Sequence, residues 1–427
     1  MTAADTTPTR SKRGALAKLV LDTRPLKVVA YRRLWLSTVV TAIGSQLTAV
    51  AVPKQVYDLT GSSAYVGVAG AVALVPLLVF GLWGGAVADV MDRRTLLLIT
   101  NTGIAVVSVL LWLQALSGMG SVTVVLVLLG LQQAFFAVNM PARSASIARL
   151  VPIELLPSAN ALGSTVQSFG AVLGPMLAGS LIPVLGLSTL YLIDAVGLTA
   201  TLWAVFRLPA MPPLDGVRRT AGVRAVIDGF RYLATKGVLL GSFVADIVAM
   251  VFGMPRALFP EMAERTFHDP AGGGPALGWL FAAIPLGALL FGLVSGWLSR
   301  ITRHGVAVWA AVAVWGVAII GLGLSSSLWL AVVFLALAGA ADMVSMVFRG
   351  AILQSAATDE MRGRMQGVFT VVVAGGPRLA DVLHGTVGAA VGTTVAVSGG
   401  GVAVLIAIAI AAVLLPAMWR YRARTAD

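Results

Sequence analysis

Gly84-Gly85-Ala86-Val87-Ala88-Asp89-Val90-Met91-Asp92-Arg93-Arg94 closes one long apolar run and leads into another, and the fold can be read from it. Gly85 lets a second helix approach closely, and Asp89 can meet the positive N-terminal end of a neighbouring helix. Arg93 and Arg94 must stay in water. A compact polar turn of this kind, between apolar runs each long enough to cross a bilayer core, marks a membrane boundary.

On either side the same pattern repeats. A helix needs about 20 apolar residues to cross a hydrocarbon core of ~30 Å. Twelve such stretches occur, at residues 34–57, 64–89, 95–117, 121–142, 158–183, 187–207, 237–259, 275–299, 305–325, 328–349, 364–390 and 393–417. Helix is the expected state of each, because backbone groups in lipid must be satisfied within the segment. Composition agrees. Hydrophobic residues make up 58% of the 427 and charged residues 11%, where a soluble domain carries roughly 25%. Mean hydropathy is +0.92.

The net charge of +12 would raise nucleic acid as a partner in a soluble protein. Here the basic residues fall in short breaks between apolar runs, with no basic stripe interleaved with aromatics, so no nucleic-acid partner is expected. Placing the N-terminus in the cytoplasm assigns every Lys and Arg to the inner side except Lys54, Arg256, Arg265 and Arg378. One inverted or missed span would scramble that partition, so both chain ends are expected in the cytoplasm of a multi-pass cell-membrane protein. Residues 1–33 read as a polar, basic cytoplasmic tail rather than a secretory signal, and 418–427 as a second tail.

The longest inner connection, 208–236, divides the chain into six-helix bundles at 34–207 and 237–417. It opens on Pro-rich Leu208-Pro209-Ala210-Met211-Pro212-Pro213. Within it, Val223, Val226, Ile227, Phe230 and Leu233 recur at helical spacing, as in a helix lying along the membrane surface. The halves echo each other at an offset of 206 residues, where Arg143 matches Arg349, Ala145 matches Ala351 and Glu154 matches Glu360. A duplicated six-helix unit explains that offset.

The Gly84–Arg94 stretch resembles the signature between helices two and three of the major facilitator superfamily. That resemblance implies an all-α, twelve-helix transporter in two six-helix halves, with Gly85, Asp89, Arg93 and Arg94 as a conformational latch. The superfamily pattern commonly has Gly where Asp92 stands. The corresponding loop of the second half, Gly296-Trp297-Leu298-Ser299-Arg300, keeps the Gly and lacks the Asp. Span five carries Gly170, Gly174, Pro175 and Gly179, similar to the helix-five motif of superfamily exporters, with Ala178 in place of one Gly. Pro141-Ala142-Arg143-Ser144, Asp359-Glu360-Met361-Arg362-Gly363-Arg364 and Gly375-Gly376-Pro377-Arg378-Leu379-Ala380-Asp381 resemble the bacterial subgroup of enterobactin-type siderophore exporters and related drug efflux proteins. One departure stands out. The Arg that many proton-coupled drug exporters carry inside span four is absent from Leu131-Gln132-Gln133-Ala134-Phe135-Phe136.

Charges inside a span are costly and serve a pathway or a partner. Asp246 in span seven and Asp342 in span ten are the candidates for the proton or substrate step. The resemblance implies that spans one, four, seven and ten line a central cavity. Spans one and four carry polar stripes, Thr41, Ser45 and Thr48, then Gln132, Phe136, Asn139 and Arg143. In span eleven Arg378, Asp381 and His384 recur every three residues, and Arg378 can neutralise Asp381. Asp194 in span six reads as a local hydrogen-bond partner.

The resulting expectation is a monomeric secondary exporter in the lipid bilayer. It would move a small amphipathic molecule, siderophore-like or drug-like, outward in exchange for protons. Other classes are an integral-membrane enzyme or a transport-incompetent sensor or scaffold. No Gly-rich Lys-Ser/Thr loop, HExxH or nucleophile elbow is present. With no Cys and three scattered His, neither cofactor nor metal is expected.

Overall fold

The computed structural model describes residues 22–213 and 223–422. A few side chains inside helices also lie outside the description, among them those of Gly85 and Asp89 and of Asp359, Glu360, Arg362 and Arg364. The described chain is built from helices, with no strand among the described residues.

The first four spans are α1 (Val29–Thr60), α2 (Ser63–Val90), α3 (Arg93–Leu116) and α4 (Val122–Leu150). A continuous helical run then covers Leu156–Phe206, 51 residues. At 1.5 Å per residue a straight helix of that length would be roughly 76 Å long, more than twice the bilayer core. It is two spans, residues 156–185 (α5) and 187–206 (α6), folded back at Gly186. That residue has φ 76°, a conformation that favours glycine. After the linker helix Val223–Thr235 come α7 (Gly237–Thr266), α8 (Pro275–Leu293), α9 (His304–Leu324), α10 (Leu328–Ala356), α11 (Asp359–Val391) and α12 (Thr393–Leu414). The count of twelve and the two six-helix halves follow the sequence.

Helix ends differ from the hydropathy reading in one informative way. Spans four and ten run to Leu150 and Ala356, well beyond 142 and 349. Arg143 and Arg349, counted above on the inner side at the ends of these spans, therefore sit within helices. Arg349 is buried, 3% exposed. A charge ends a hydropathy run, but it does not end a helix when a partner is waiting for it.

Because the number of spans is even, both described ends lie on one side, here called the terminal side. On the opposite, far side the two halves approach closely at glycines. Gly67 of α2 lies on the backbone of Asp381 and Gly385 in α11, Gly70 lies on the Asp381 side chain and the Arg378 oxygen, and Gly179 of α5 lies on Gly278 of α8. A Cβ on Gly179 would sit 2.6 Å from the Gly278 nitrogen. Phe136 and Met140 of α4 and Met346 of α10 are exposed. The glycine contacts between the halves thus lie on the far side.

Helix α7 is interrupted. Regular helix ends at Gly253, and Pro255, which has no N–H and disfavours helix at Met254, precedes a tight turn over Arg256–Leu258. The carbonyls freed by the break are bonded by side chains. Trp315 Nε1 donates to the Gly253 oxygen at 3.0 Å, and His384 Nε2 lies 3.0 Å from the Phe252 oxygen.

Candidate functional site

The candidate residues of the two halves are chemically unlike. On the first half, Thr41 and Ser45 bond backbone oxygens of α1 at Ser37 and Ala42, and Ser45 and Phe136 are exposed. Arg143 of α4 donates to the Thr38 hydroxyl of α1. The remaining polar candidates bond neighbouring helices of their own half. Thr48 is buried and donates to Asp194 Oδ2 at 3.0 Å, Asn139 donates to the Thr100 hydroxyl at 2.8 Å, and Gln132 reaches Ser108 at 3.4 Å. A polar stripe spaced over several turns is wider than the strip a cavity exposes, so residues at its margin bind neighbouring helices instead.

Asp194 is the local hydrogen-bond partner its position suggested. Thr48 and Ser108 both donate to its Oδ2, at 3.0 and 2.9 Å, tying α1 and α3 to α6. Among the described residues no Lys or Arg pairs with it. Asp194→Asn is therefore expected to leave expression and transport within about twofold of the parent. Asp194→Leu, which strands two buried hydroxyls, is expected to lower stability by about 1–3 kcal/mol in thermal unfolding.

The second half carries charge. Asp246 of α7 forms an ion pair with Arg349 of α10, and both side chains are nearly inaccessible, 2% and 3% exposed. They line a narrow void with Ser242, Phe243, Leu353 and Phe369. Asp342, two turns away on α10, lies 3.8 Å from the same guanidinium, but its side chain is 35% exposed. Arg378 and Asp381 of α11 are 3.7 Å apart, the mutual neutralisation their spacing allows. His384 shares their helix face and instead bonds the broken end of α7. Arg143 and Arg349 occupy matching places in the two halves, each reaching the first helix of its own bundle. Only the second finds an acid.

Sequence reading missed Arg349 as a site residue. Two signals for it were present, its seven-residue spacing from Asp342, which puts both on one helix face, and its repeat match to Arg143.

The far-side seal has its own charges. Lys54 of α1, 1% exposed, is paired with Asp58 and reaches across to the second half. Its Nζ donates to the Ala271 oxygen at 2.6 Å and lies 3.5 Å from Glu264. Ser63 of α2 bonds Glu261, which holds Arg265 at 3.0 Å. Gly170 packs on Ala42 of α1, and Gly174 on Gln46 and Ile43. The stripe on α5 therefore seats α1 at one end and α8 at the other, while Pro175 is buried inside it.

On the terminal side the Arg93–Arg94 turn binds within the first half. Arg93 donates to the Ala145 oxygen of α4 at 3.2 Å, and Arg94 to the Phe206 oxygen at the end of α6 at 2.7 Å. The latch reading of Gly85 and Asp89 falls outside the described side chains. Asp92, where the superfamily pattern has Gly, caps α3 by accepting from Thr95 N at 2.9 Å. It also accepts from Met211 N at 2.6 Å and so fastens the start of the linker. Burial works against ionising Asp92, but the Thr95 and Met211 N–H groups outweigh it and hold the carboxyl below the usual carboxylate range. Its stabilising effect is therefore present at neutral pH and lost as pH falls through that lowered value. At neutral pH Asp92→Ala is expected to cost about 1 kcal/mol in thermal unfolding, and Asp92→Ser or Asn only part of that.

Twelve helices in two six-helix halves, in glycine contact on the far side, are the architecture of a membrane transporter. The chain belongs to the transmembrane secretion effector family of the major facilitator superfamily, which it matches over residues 22–423. The enterobactin exporter EntS of Shigella boydii serotype 18 is 30% identical over 404 residues, covering 94% of this chain and 95% of that protein. EntS of Escherichia coli O1:K1 is 29% identical over the same shares. Among solved structures, a bacterial homologue of the human lysosomal transporter Spinster, inward-facing and unoccupied, superposes with TM-score 0.71 at 15% identity. It covers 95% of this chain and all of that one. A POT family transporter in complex with 5-aminolevulinic acid gives 0.70 at 14%, over 92% of this chain and 96% of that one. At such identities these two establish the fold alone.

Proposed function

We propose that this chain is a secondary exporter that moves a small amphipathic molecule out of the cell in exchange for protons. It would act as a monomer in the cytoplasmic membrane, with both chain ends in the cytoplasm. The observation that carries the reading is the asymmetric sharing of Arg349. Asp246 is paired with it in a nearly inaccessible site, whereas Asp342 stands 3.8 Å off with its side chain 35% exposed. A carboxylate in that position can be neutralised by a proton or by a cationic group on a substrate, but not by both at once. An uncompensated charge opposes closure of the cavity around it. The halves therefore rock when Asp342 carries either ligand, and alternate occupancy gives exchange.

The names of the relatives favour a siderophore-like cargo. Phe136, Met140 and Met346 favour a second reading, efflux of varied drug-like molecules, because flexible thioethers and an aromatic face adapt to many apolar shapes. Cells with and without the gene separate the two. Loss of secreted siderophore with unchanged drug susceptibility supports the first reading. The reverse supports the second, and no change in either counts against export of both.

A further inference from the structure

Helices α4 and α10 correspond residue for residue. Val122–Leu150 and Leu328–Ala356 each run 29 residues, and their ends are related by the same offset that relates Arg143 to Arg349. At that offset Phe136 stands where the second half has Asp342. The contacts diverge in the same sense. Arg349 is paired with Asp246 of α7 and lies 3.8 Å from Asp342. Arg143 reaches only the Thr38 hydroxyl of α1, through Nη2. Among the described residues it has no ion pair, and its Nε and Nη1 are neither bonded nor buried. The second half thus holds a cation with two carboxylates at this place, and the first half a cation alone.

Two exposed side chains share the same face of α4. Phe136 and Met140 precede Arg143 by seven and three residues, and both are open to contact. At 1.5 Å per residue Phe136 lies about 10 Å from Arg143 along the helix, towards the far side. The bond to Thr38 shows that this face looks onto α1 rather than into lipid, where a lone guanidinium would be costly.

We propose that Arg143, with Phe136 and Met140, binds the anionic end of the cargo, an aromatic ring bearing a carboxylate or phenolate oxygen. This rests on the export reading and names the class of molecule exported. The unused N–H groups of the guanidinium meet the anionic oxygen, which supplies the acid that the first half lacks. Phe136 offers a face to the ring, and the Met140 thioether adapts to its edge. A neutral arene would leave the cation uncompensated. The cationic group that displaces the proton from Asp342 belongs to the other end of the same molecule. Such a cargo bridges the halves, with its oxyanion on the first and its cation on the second.

The anionic end is tested by itself with 1-naphthoate and its uncharged, similarly shaped counterpart 1-naphthamide. Their equilibrium binding to the full chain in lipid nanodiscs is measured against empty nanodiscs. The parent is expected to bind 1-naphthoate at least about tenfold more tightly, the effect of one hydrogen-bonded charge. Arg143→Gln should bind the two equally, and Arg143→Lys should keep part of the preference. Phe136→Asp supplies the carboxylate that α10 has at this position. It is expected to neutralise Arg143 and abolish the preference with the arginine still in place. Thermal unfolding close to the parent's shows that each variant is folded. Binding of neither probe, equal binding by the parent, or a preference surviving in Arg143→Gln or Phe136→Asp would overturn the proposal. Suppose instead that the preference holds while loss of the gene changes neither siderophore release nor drug susceptibility. The export reading would then fall and the anion site would stand.

Discussion

Arg349→Ala is expected to yield little folded protein, whereas Asp246→Leu combined with Arg349→Leu folds and does not transport. The pair is nearly inaccessible on both sides, so removing one member leaves a bare charge in a dry site. Breaking such a pair costs about 3–5 kcal/mol, a large share of the 5–15 kcal/mol that holds a typical domain. Replacing both members with apolar side chains removes the unpaired charge, and stability is expected to return to within about 1–2 kcal/mol of the parent. Transport should not return, because Asp342 then loses the guanidinium that lies 3.8 Å from it. Size-exclusion profiles and thermal unfolding in detergent separate fold from flux. If Arg349→Ala were as stable as the parent, the pair would carry no weight in the fold.

The second large effect is expected at the far-side seal. A Cβ on Gly179 would lie 2.6 Å from the nitrogen and 2.7 Å from the Cα of Gly278, and backbone atoms cannot move aside as a flexible side chain can. Gly179→Val should therefore fold but fail to bring α5 against α8. The expected result is a far-side-open population and flux reduced at least about tenfold, since each 1.4 kcal/mol of lost closure is a factor of ten. Spin labels at Met119→Cys and Ser326→Cys, in far-side connections of opposite halves of this Cys-free chain, read the first in the Gly179→Val background, and proteoliposome transport reads the second. Full closure in Gly179→Val would show that this glycine contact does not form the seal.

Much of the architecture was legible from charge and hydropathy together. Apolar runs gave the spans, and the placement of Lys and Arg gave their number. The four basic residues that broke the pattern proved the more telling. Lys54 and Arg265 stand in the far-side seal, Arg378 pairs with Asp381, and Arg256 sits at the break in α7. Of these, Lys54 is buried among its partners, whereas Arg265 is largely exposed.

Hydropathy was a poorer guide where charges were paired. It ended spans four and ten at their arginines, and so hid Arg349, the partner Asp246 needs. It could not reveal that Thr48 and Asn139 face neighbouring helices, because helical spacing fixes a face only to within about one residue's 100° step. The fold of α5 back onto α6 was legible as a boundary near 186. Its cause, the positive φ of Gly186, belongs to the backbone.

The most direct test of the exchange reading is ligand transport into proteoliposomes under an imposed pH gradient, comparing the parent with Asp342→Asn. A catecholate siderophore and a lipophilic cationic dye serve as separate probes. The account predicts that acid on the far side accelerates transport of at least one probe in the parent by about tenfold, corresponding to 1.4 kcal/mol of coupling, and that Asp342→Asn abolishes this acceleration. Equal acceleration in both proteins would contradict it.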